Sequence, residues 1–167
     1  TDCAAGKYSE TIEASAESTC TDCAAGKYSG VIAATAESTC TDCAAGKYMT
    51  GTGAAACTDC AAGKYNDDGK TGATKNACKE CVKGKYGADA GATSVSTCTP
   101  CAAGTYMTET GAPACTACAA GKFSIDTGAP SAQDCRLCPS GKYYSSTGAS
   151  ACTDCGTGKY STAYGAA

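Results

Sequence analysis

The chain has 167 residues, 17 of them cysteine, with a net charge of −3, 17% charged residues and no histidine. A balance this mild, with no basic stripe, argues against a nucleic-acid partner, and no run of about 20 apolar residues is present to span a membrane. With only three Ile, three Val, one Leu and one Phe, burial cannot offset the entropy of ordering, so the cysteines must replace the missing core.

In chain order, Thr1-Asp2-Cys3-Ala4-Ala5-Gly6-Lys7-Tyr8-Ser9 returns unchanged at Thr21 and with one change at Thr41 and Thr58. It then drifts through returns at Lys79, Thr99, Thr116, Arg136 and Thr153. Self-similarity of this kind marks a repeat array. Cutting before each return gives repeats 1–20, 21–40, 41–57, 58–78, 79–98, 99–115, 116–135 and 136–152, and a partial ninth, 153–167. Each full repeat reads x-x-Cys-x-x-Gly-x-aromatic, a variable stretch, then Cys. Length variation is expected at a loop tip after the aromatic, where insertions cost least. Gly-Ala precedes the closing cysteine at Gly53, Gly72, Gly91, Gly111, Gly128 and Gly148 and reads as a turn. Glu13 and Ala33 occupy that place in the first two repeats, which implies that a positive φ is not required there.

No stretch holds a helical period for ten residues. Lys7-Tyr8-Ser9 and Lys142-Tyr143-Tyr144-Ser145 predict strands of two or three residues. The expected fold class is a small disulfide-rich repeat array, elongated, mostly loop and turn with short β-hairpins and little or no helix. Without an initiator Met or a leader, the chain reads as mature protein or as a piece of a longer one.

Three readings compete for the cysteines. A disulfide ladder pairs Cys3–Cys20, Cys23–Cys40, Cys43–Cys57, Cys60–Cys78, Cys81–Cys98, Cys101–Cys115, Cys118–Cys135 and Cys138–Cys152, and leaves Cys155 unpaired in this segment with its partner expected beyond Ala167. Each bond closes a loop of about 15 to 19 residues, worth roughly 3 kcal/mol. That is several-fold less than the cost of ordering the loop, so neighbouring repeats or neighbouring chains must bury the rest. Zinc also fits Cys-x2-Cys-x16-Cys-x2-Cys, but a zinc site consumes two Cys-x-x-Cys pairs and predicts a two-repeat period, whereas the period is one repeat. Thioredoxin-like redox chemistry needs one reactive pair in a βαβ setting, which is absent. The ladder is the favoured reading; an overlapping connectivity between adjacent repeats remains beside it. No metal or other cofactor is expected.

Tyr8, Tyr28, Tyr48, Tyr65, Tyr86, Tyr106, Phe123, Tyr143 and Tyr160 hold the aromatic position. They are read as packing groups, each ring covering its own disulfide and the next repeat, and Phe123 indicates that the ring rather than a hydroxyl is what the position demands. The Gly three residues after each opening Cys is read as letting the backbone pass close to that disulfide. Lys follows this Gly in eight of nine repeats, Thr105 being the exception. It reads as a solvated row meeting acidic groups of a neighbouring repeat. Asn66-Asp67-Asp68-Gly69 reads as a turn, with calcium as a weak alternative because further ligands are missing. Thr21, Thr41, Thr58, Thr99, Thr116 and Thr153, at the repeat boundaries, are candidate O-glycosylation sites, with solvated hydroxyls as the plain reading. No catalytic residues are assigned: the missing histidine removes the commonest general base.

The unit Cys-x-x-Gly-[Lys/Thr]-[Tyr/Phe]-Ser … Cys-x-x-Cys resembles the GCC2/GCC3, or ephrin-receptor-like, cysteine-rich repeat, and is similar to the first module of tumour-necrosis-factor-receptor cysteine-rich domains. The resemblance implies an extracellular or cell-surface location, and supports the ladder, since the opening cysteine of such a module bonds to the next one. It also implies a stalk, spacer or ligand platform rather than an enzyme. Two functional expectations follow. The first is a structural, rod-like segment of a longer surface protein, self-associating with other copies of the repeat into a filament or appendage. The alternative is a receptor or adhesion ectodomain that binds a protein ligand, in which one or two repeats should break the symmetry.

Overall fold

The computed structural model describes residues 2–11, 19–68 and 78–167. Gly72 and Glu13, both weighed above as turn positions, lie outside the described residues. Eight disulfides close eight loops, numbered here in chain order: Cys3–Cys20, Cys23–Cys40, Cys43–Cys57, Cys60–Cys78, Cys81–Cys98, Cys101–Cys115, Cys118–Cys135 and Cys138–Cys152. The chain forms two compact units, one of residues 1–79 and 89–97, the other of residues 80–88 and 98–167.

Each opening cysteine leads into a β-turn. In the first, the Lys7 amide donates to the Ala4 carbonyl at 3.1 Å, and Gly6 takes the positive φ, 88°, that the third turn position requires. The turn launches a two-residue strand, Lys7–Tyr8, where an aromatic suits a half-buried pleated surface. That strand pairs antiparallel with the dipeptide just before the next opening cysteine. In the first unit Lys7–Tyr8 meets Thr21–Asp22, Lys27–Tyr28 meets Thr41–Asp42 and Lys47–Tyr48 meets Thr58–Asp59. In the second, Lys85–Tyr86 meets Thr99–Pro100, Thr105–Tyr106 meets Thr116–Ala117, Lys122–Phe123 meets Arg136–Leu137 and Lys142–Tyr143 meets Thr153–Asp154.

Successive loops are joined by one set of four backbone hydrogen bonds. From loop 6 to loop 7, Cys118 N–H donates to Gly104 O, Gly128 N–H to Cys101 O, Gly104 N–H to Ser124 O and Met107 N–H to Ala129 O, all at 2.7–3.0 Å. The set is complete at six steps of the chain, from loops 1, 2, 5, 6, 7 and 8 to the segment that follows each. It is a ladder of backbone groups, so it survives sequence drift at the side chains.

A second contact skips one loop. Gly104, at φ 83°, sits so close to loop 8 that a Cβ there would lie 2.2 Å from the Gly148 carbonyl oxygen. Gly6 with Gly53 and Gly121 with Gly165 repeat the arrangement. The close approach expected at this glycine is therefore to backbone two loops away, not to its own disulfide.

The buried residues are small. The eight opening cysteines in disulfides are 0–5% exposed, and Ala34, Ala92, Ala112, Ala129 and Ala149 join them at 9% or less. Tight backbone packing on cysteine, glycine and alanine replaces the missing aliphatic core. The aromatics are only half-buried up to Phe123, and Tyr143 and Tyr160 are exposed. Tyr86 packs against the buried cluster of Cys101, Met107 and Ala112 in the following loop.

One further expectation is corrected and another sharpened. Ala33 has φ 57°, the left-handed value expected only of the glycines. The ladder imposes it: Ala33 N–H donates to Cys3 O at 2.8 Å, as Gly53 N–H does to Cys23 O. Length variation does fall after the aromatic, but in loops 2, 5 and 7 it lies just before the closing cysteine rather than directly behind the ring. The interval from aromatic to Gly or Ala33 is five residues in every described case, because both ends carry ladder bonds. The longer loops 2, 5 and 7 differ from loops 3, 6 and 8 by three residues inserted just before the closing cysteine. There they form 3-10 turns at Glu37–Thr39, Val95–Thr97 and Ala132–Asp134, the last closed by a Ser131/Asp134 capping box.

Candidate functional site

The recurring surface cell is built on the hairpins. Antiparallel register places Lys opposite Asp and aromatic opposite Thr: Lys7 with Asp22 and Tyr8 with Thr21, Lys27 with Asp42 and Tyr28 with Thr41, Lys47 with Asp59 and Tyr48 with Thr58. Residues directly opposed across a strand pair are close enough to interact, and the lysine row does meet acidic groups of the neighbouring repeat. Lys7 Nζ lies 3.2 Å from Asp22 Oδ1, Lys27 Nζ 3.1 Å from Asp42 Oδ1 and Lys142 Nζ 2.7 Å from Asp154 Oδ1. Asp22 also accepts from the Thr52 hydroxyl at 3.1 Å. The Lys7 side chain and then that hydroxyl hold the Asp22 carboxyl below its ordinary range.

Where the motif drifts, the pairing changes. Lys79 Nζ reaches Asp67 Oδ1 at 2.6 Å, lowering the Asp67 carboxyl and raising the Lys79 ammonium, in each case chiefly through their mutual hydrogen bond. Arg136 pairs with Asp126 at 3.6 Å, and Thr105 faces Ala117. The Asn66-Asp67-Asp68 segment is a hydrogen-bonded elbow. Asn66, 1% exposed, donates from Nδ2 to the Lys47 carbonyl at 2.9 Å and accepts from the Asp68 amide at 3.0 Å. Among the described residues no group of three or more His, Cys, Asp or Glu is placed to hold a metal ion, and Gly69 lies outside them.

Shallow clefts repeat beside the rings. One is lined by Tyr28, Asp42, Lys47, Ala56 and Cys57, another by Tyr48, Ala61, Lys64 and Cys78, a third by Tyr86, Ala102, Thr105, Ala114 and Cys115. Each brings an aromatic edge to the closing cysteine of the next loop. The candidate O-glycosylation residues Thr21, Thr41, Thr58, Thr99, Thr116 and Thr153 are all exposed. Each stands directly opposite an aromatic, Thr99 facing Tyr86, Thr116 facing Tyr106 and Thr153 facing Tyr143 in the second unit. Sixteen cysteines are in disulfides and hold no thiolate for a metal, while Cys155 is a half-buried free thiol.

One position escaped the sequence reading, the residue after the aromatic, which is buried at Ser29, Asn66, Gly87, Met107 and Ser124 and half-buried at Ser9, Met49, Tyr144 and Ser161. Ser29, Asn66, Met107 and Ser124 are all under 9% exposed and donate a ladder amide. The residue type at this position varies too widely to signal burial.

Among the described residues no helix is long and apolar enough to cross a membrane. Residues 46–98 and 93–135 match the family model described as tyrosine-protein kinase ephrin type A/B receptor-like. No curated protein matches the chain.

Proposed function

Because the chain belongs to the ephrin-receptor-like family of cysteine-rich repeats, modules of extracellular domains, we propose that it is a structural array: a spacer segment of a surface protein whose repeats are 1–20, 21–40, 41–57, 58–78, 79–98, 99–115, 116–135, 136–152 and the partial 153–167. The observation that carries this reading is the identical four-bond backbone set at six steps, indifferent to the side chains around it. A repeating interface made of backbone gives like steps from loop to loop, which suits a scaffold. Self-association into a filament or appendage extends the same reading, with the exposed Thr–aromatic row as the surface offered for O-glycans.

Negative-stain microscopy of native material is the test. Regular fibres support the array; dispersed particles at all concentrations sink the filament. A ligand-binding ectodomain is the second reading, favoured by Ile125 and Leu137, 60% and 51% exposed. These belong to loop 7 and the start of the next repeat, where the Lys–Asp pairing also breaks.

A further inference from the structure

Tension applied along this chain does not travel round the loops. Load entering loop 6 at Cys101 crosses the disulfide to Cys115, passes Thr116 and Ala117 and reaches Cys118, leaving residues 102–114 slack. The same link occurs eight times with the same dimensions. The Cα–Cα distance across the bond is 5.5–5.8 Å, although the bypassed loops differ, with sequence separations from 14 to 18. Two residues always separate a closing cysteine from the next opening one. Loop length varies while link length does not.

On this path both cysteines are buried in loops 2, 5 and 7, Cys23 with Cys40, Cys81 with Cys98 and Cys118 with Cys135 all at 7% exposed or less, whereas the closing cysteines of the other five loops are half-buried. Every opening cysteine in a disulfide is 5% exposed or less, and thiol–disulfide exchange requires approach to a sulfur. What shields them is backbone packing and the ladder, held by hydrogen bonds that load breaks long before a covalent link.

We propose that the chain is a tension-bearing tether of capped length, in which loops 2, 5 and 7 are stored length freed by a reductant only after load has uncovered their cysteines. This deepens the structural reading above and rests on it. An extended chain spans about 3.5 Å per residue. With every loop bypassed, the 167-residue chain therefore stops at about 180 Å, against about 580 Å when fully reduced, roughly a threefold difference. Cleaving one bond adds about 43 Å at loops 3, 6 and 8, and about 54–57 Å at the other five. Each cleavage passes two electrons and two protons from a dithiol to the protein, leaving two thiols in the chain and one disulfide in the reagent.

Single-molecule pulling between the two ends, without and then with a dithiol, tests this. The oxidised chain is expected to stop near its cap. The dithiol then adds discrete steps in two size classes, with loops 2, 5 and 7 cleaved under load at least tenfold faster than in unloaded protein, measured by thiol alkylation. Extension past the cap without reductant overturns the proposal, as does cleavage of loops 2, 5 and 7 at equal rates with and without load. The double variant Cys101→Ser, Cys115→Ser is expected to lengthen the cap by one short step and to lose that step on reduction. It reads contour length, so it remains informative even where loop 6 does not fold. A failed cap leaves the microscopy result untouched, and dispersed particles leave the cap untouched.

Discussion

Gly104 offers a direct test of the contact that skips a loop. Replacing it with alanine imposes two costs. The first is left-handed strain at φ 83°, about 1–2 kcal/mol for a residue with a Cβ. The second is overlap: the new Cβ would lie 2.2 Å from Gly148 O, 2.7 Å from Gly148 C and 2.9 Å from Ala149 C. All three are backbone atoms and cannot rotate away, so relief must move a ladder-bonded segment, at about 1–3 kcal/mol. Gly141 isolates the first cost, because its φ is 80° and a Cβ there meets nothing within 4 Å. Both glycines belong to the second unit, so one transition reports both. Denaturant unfolding with disulfides intact, followed by tyrosine near-UV circular dichroism, should show Gly104→Ala losing about 2–5 kcal/mol and Gly141→Ala about 1–2 kcal/mol. Equal losses would mean that only φ matters at this position, and the skipping contact would carry no weight.

Ala33→Gly should stabilise the first unit by about 1 kcal/mol, because exposed Ala33 holds a left-handed φ and its methyl gains little there; an unchanged denaturation midpoint would refute the strain. Asn66→Ala should cost about 2–3 kcal/mol by orphaning the buried Lys47 carbonyl and the Asp68 amide. Ser124→Ala should be neutral or stabilising by up to about 1 kcal/mol in the same assay, since its buried hydroxyl has no hydrogen-bond partner among the described residues. The Asp22 carboxyl is depressed in the fold, so its contribution is complete above the ordinary carboxylate range and is lost as pH falls through that range toward the depressed value. Stability measured against pH should therefore decline on the acid side, and Lys7→Gln should flatten that decline. Intact mass should rise by about 16 Da on reduction, two hydrogens for each of eight bonds.

What could be read from the residues follows from which contacts use side chains. Cysteine phase, the recurring aromatic and the Lys–Asp pairing each leave a residue-type signature, so the family and the hairpins were legible without coordinates. The contact between Gly104 and Gly148 leaves none, because both partners are backbone and a glycine states only that something is close. Ala33 was misleading for a related reason. Local propensity places alanine at negative φ, but the bond from its amide to Cys3 O holds the turn as its glycine counterparts hold theirs. The five-residue interval from the aromatic, kept from Tyr28 to Ala33 and in every later repeat but the one from Tyr65 to Gly72, stands in the sequence and marks a segment that carries ladder bonds at both ends.

The ion pairs show how little the array depends on its surface chemistry. In loop 6 the lysine and its partner are both lost, Thr105 facing Ala117. Lys85 faces Pro100 and Lys122 faces Leu137, so there a lysine persists without its aspartate. Yet the four ladder bonds are complete at each of these steps. Partners that are one-third or more exposed contribute at most about 1 kcal/mol per pair, and often nothing measurable. Backbone bonds at every step outweigh them. The pairs can therefore set hairpin register and acid sensitivity repeat by repeat, while the spacing of the array stays where glycine, alanine and the opening cysteines put it.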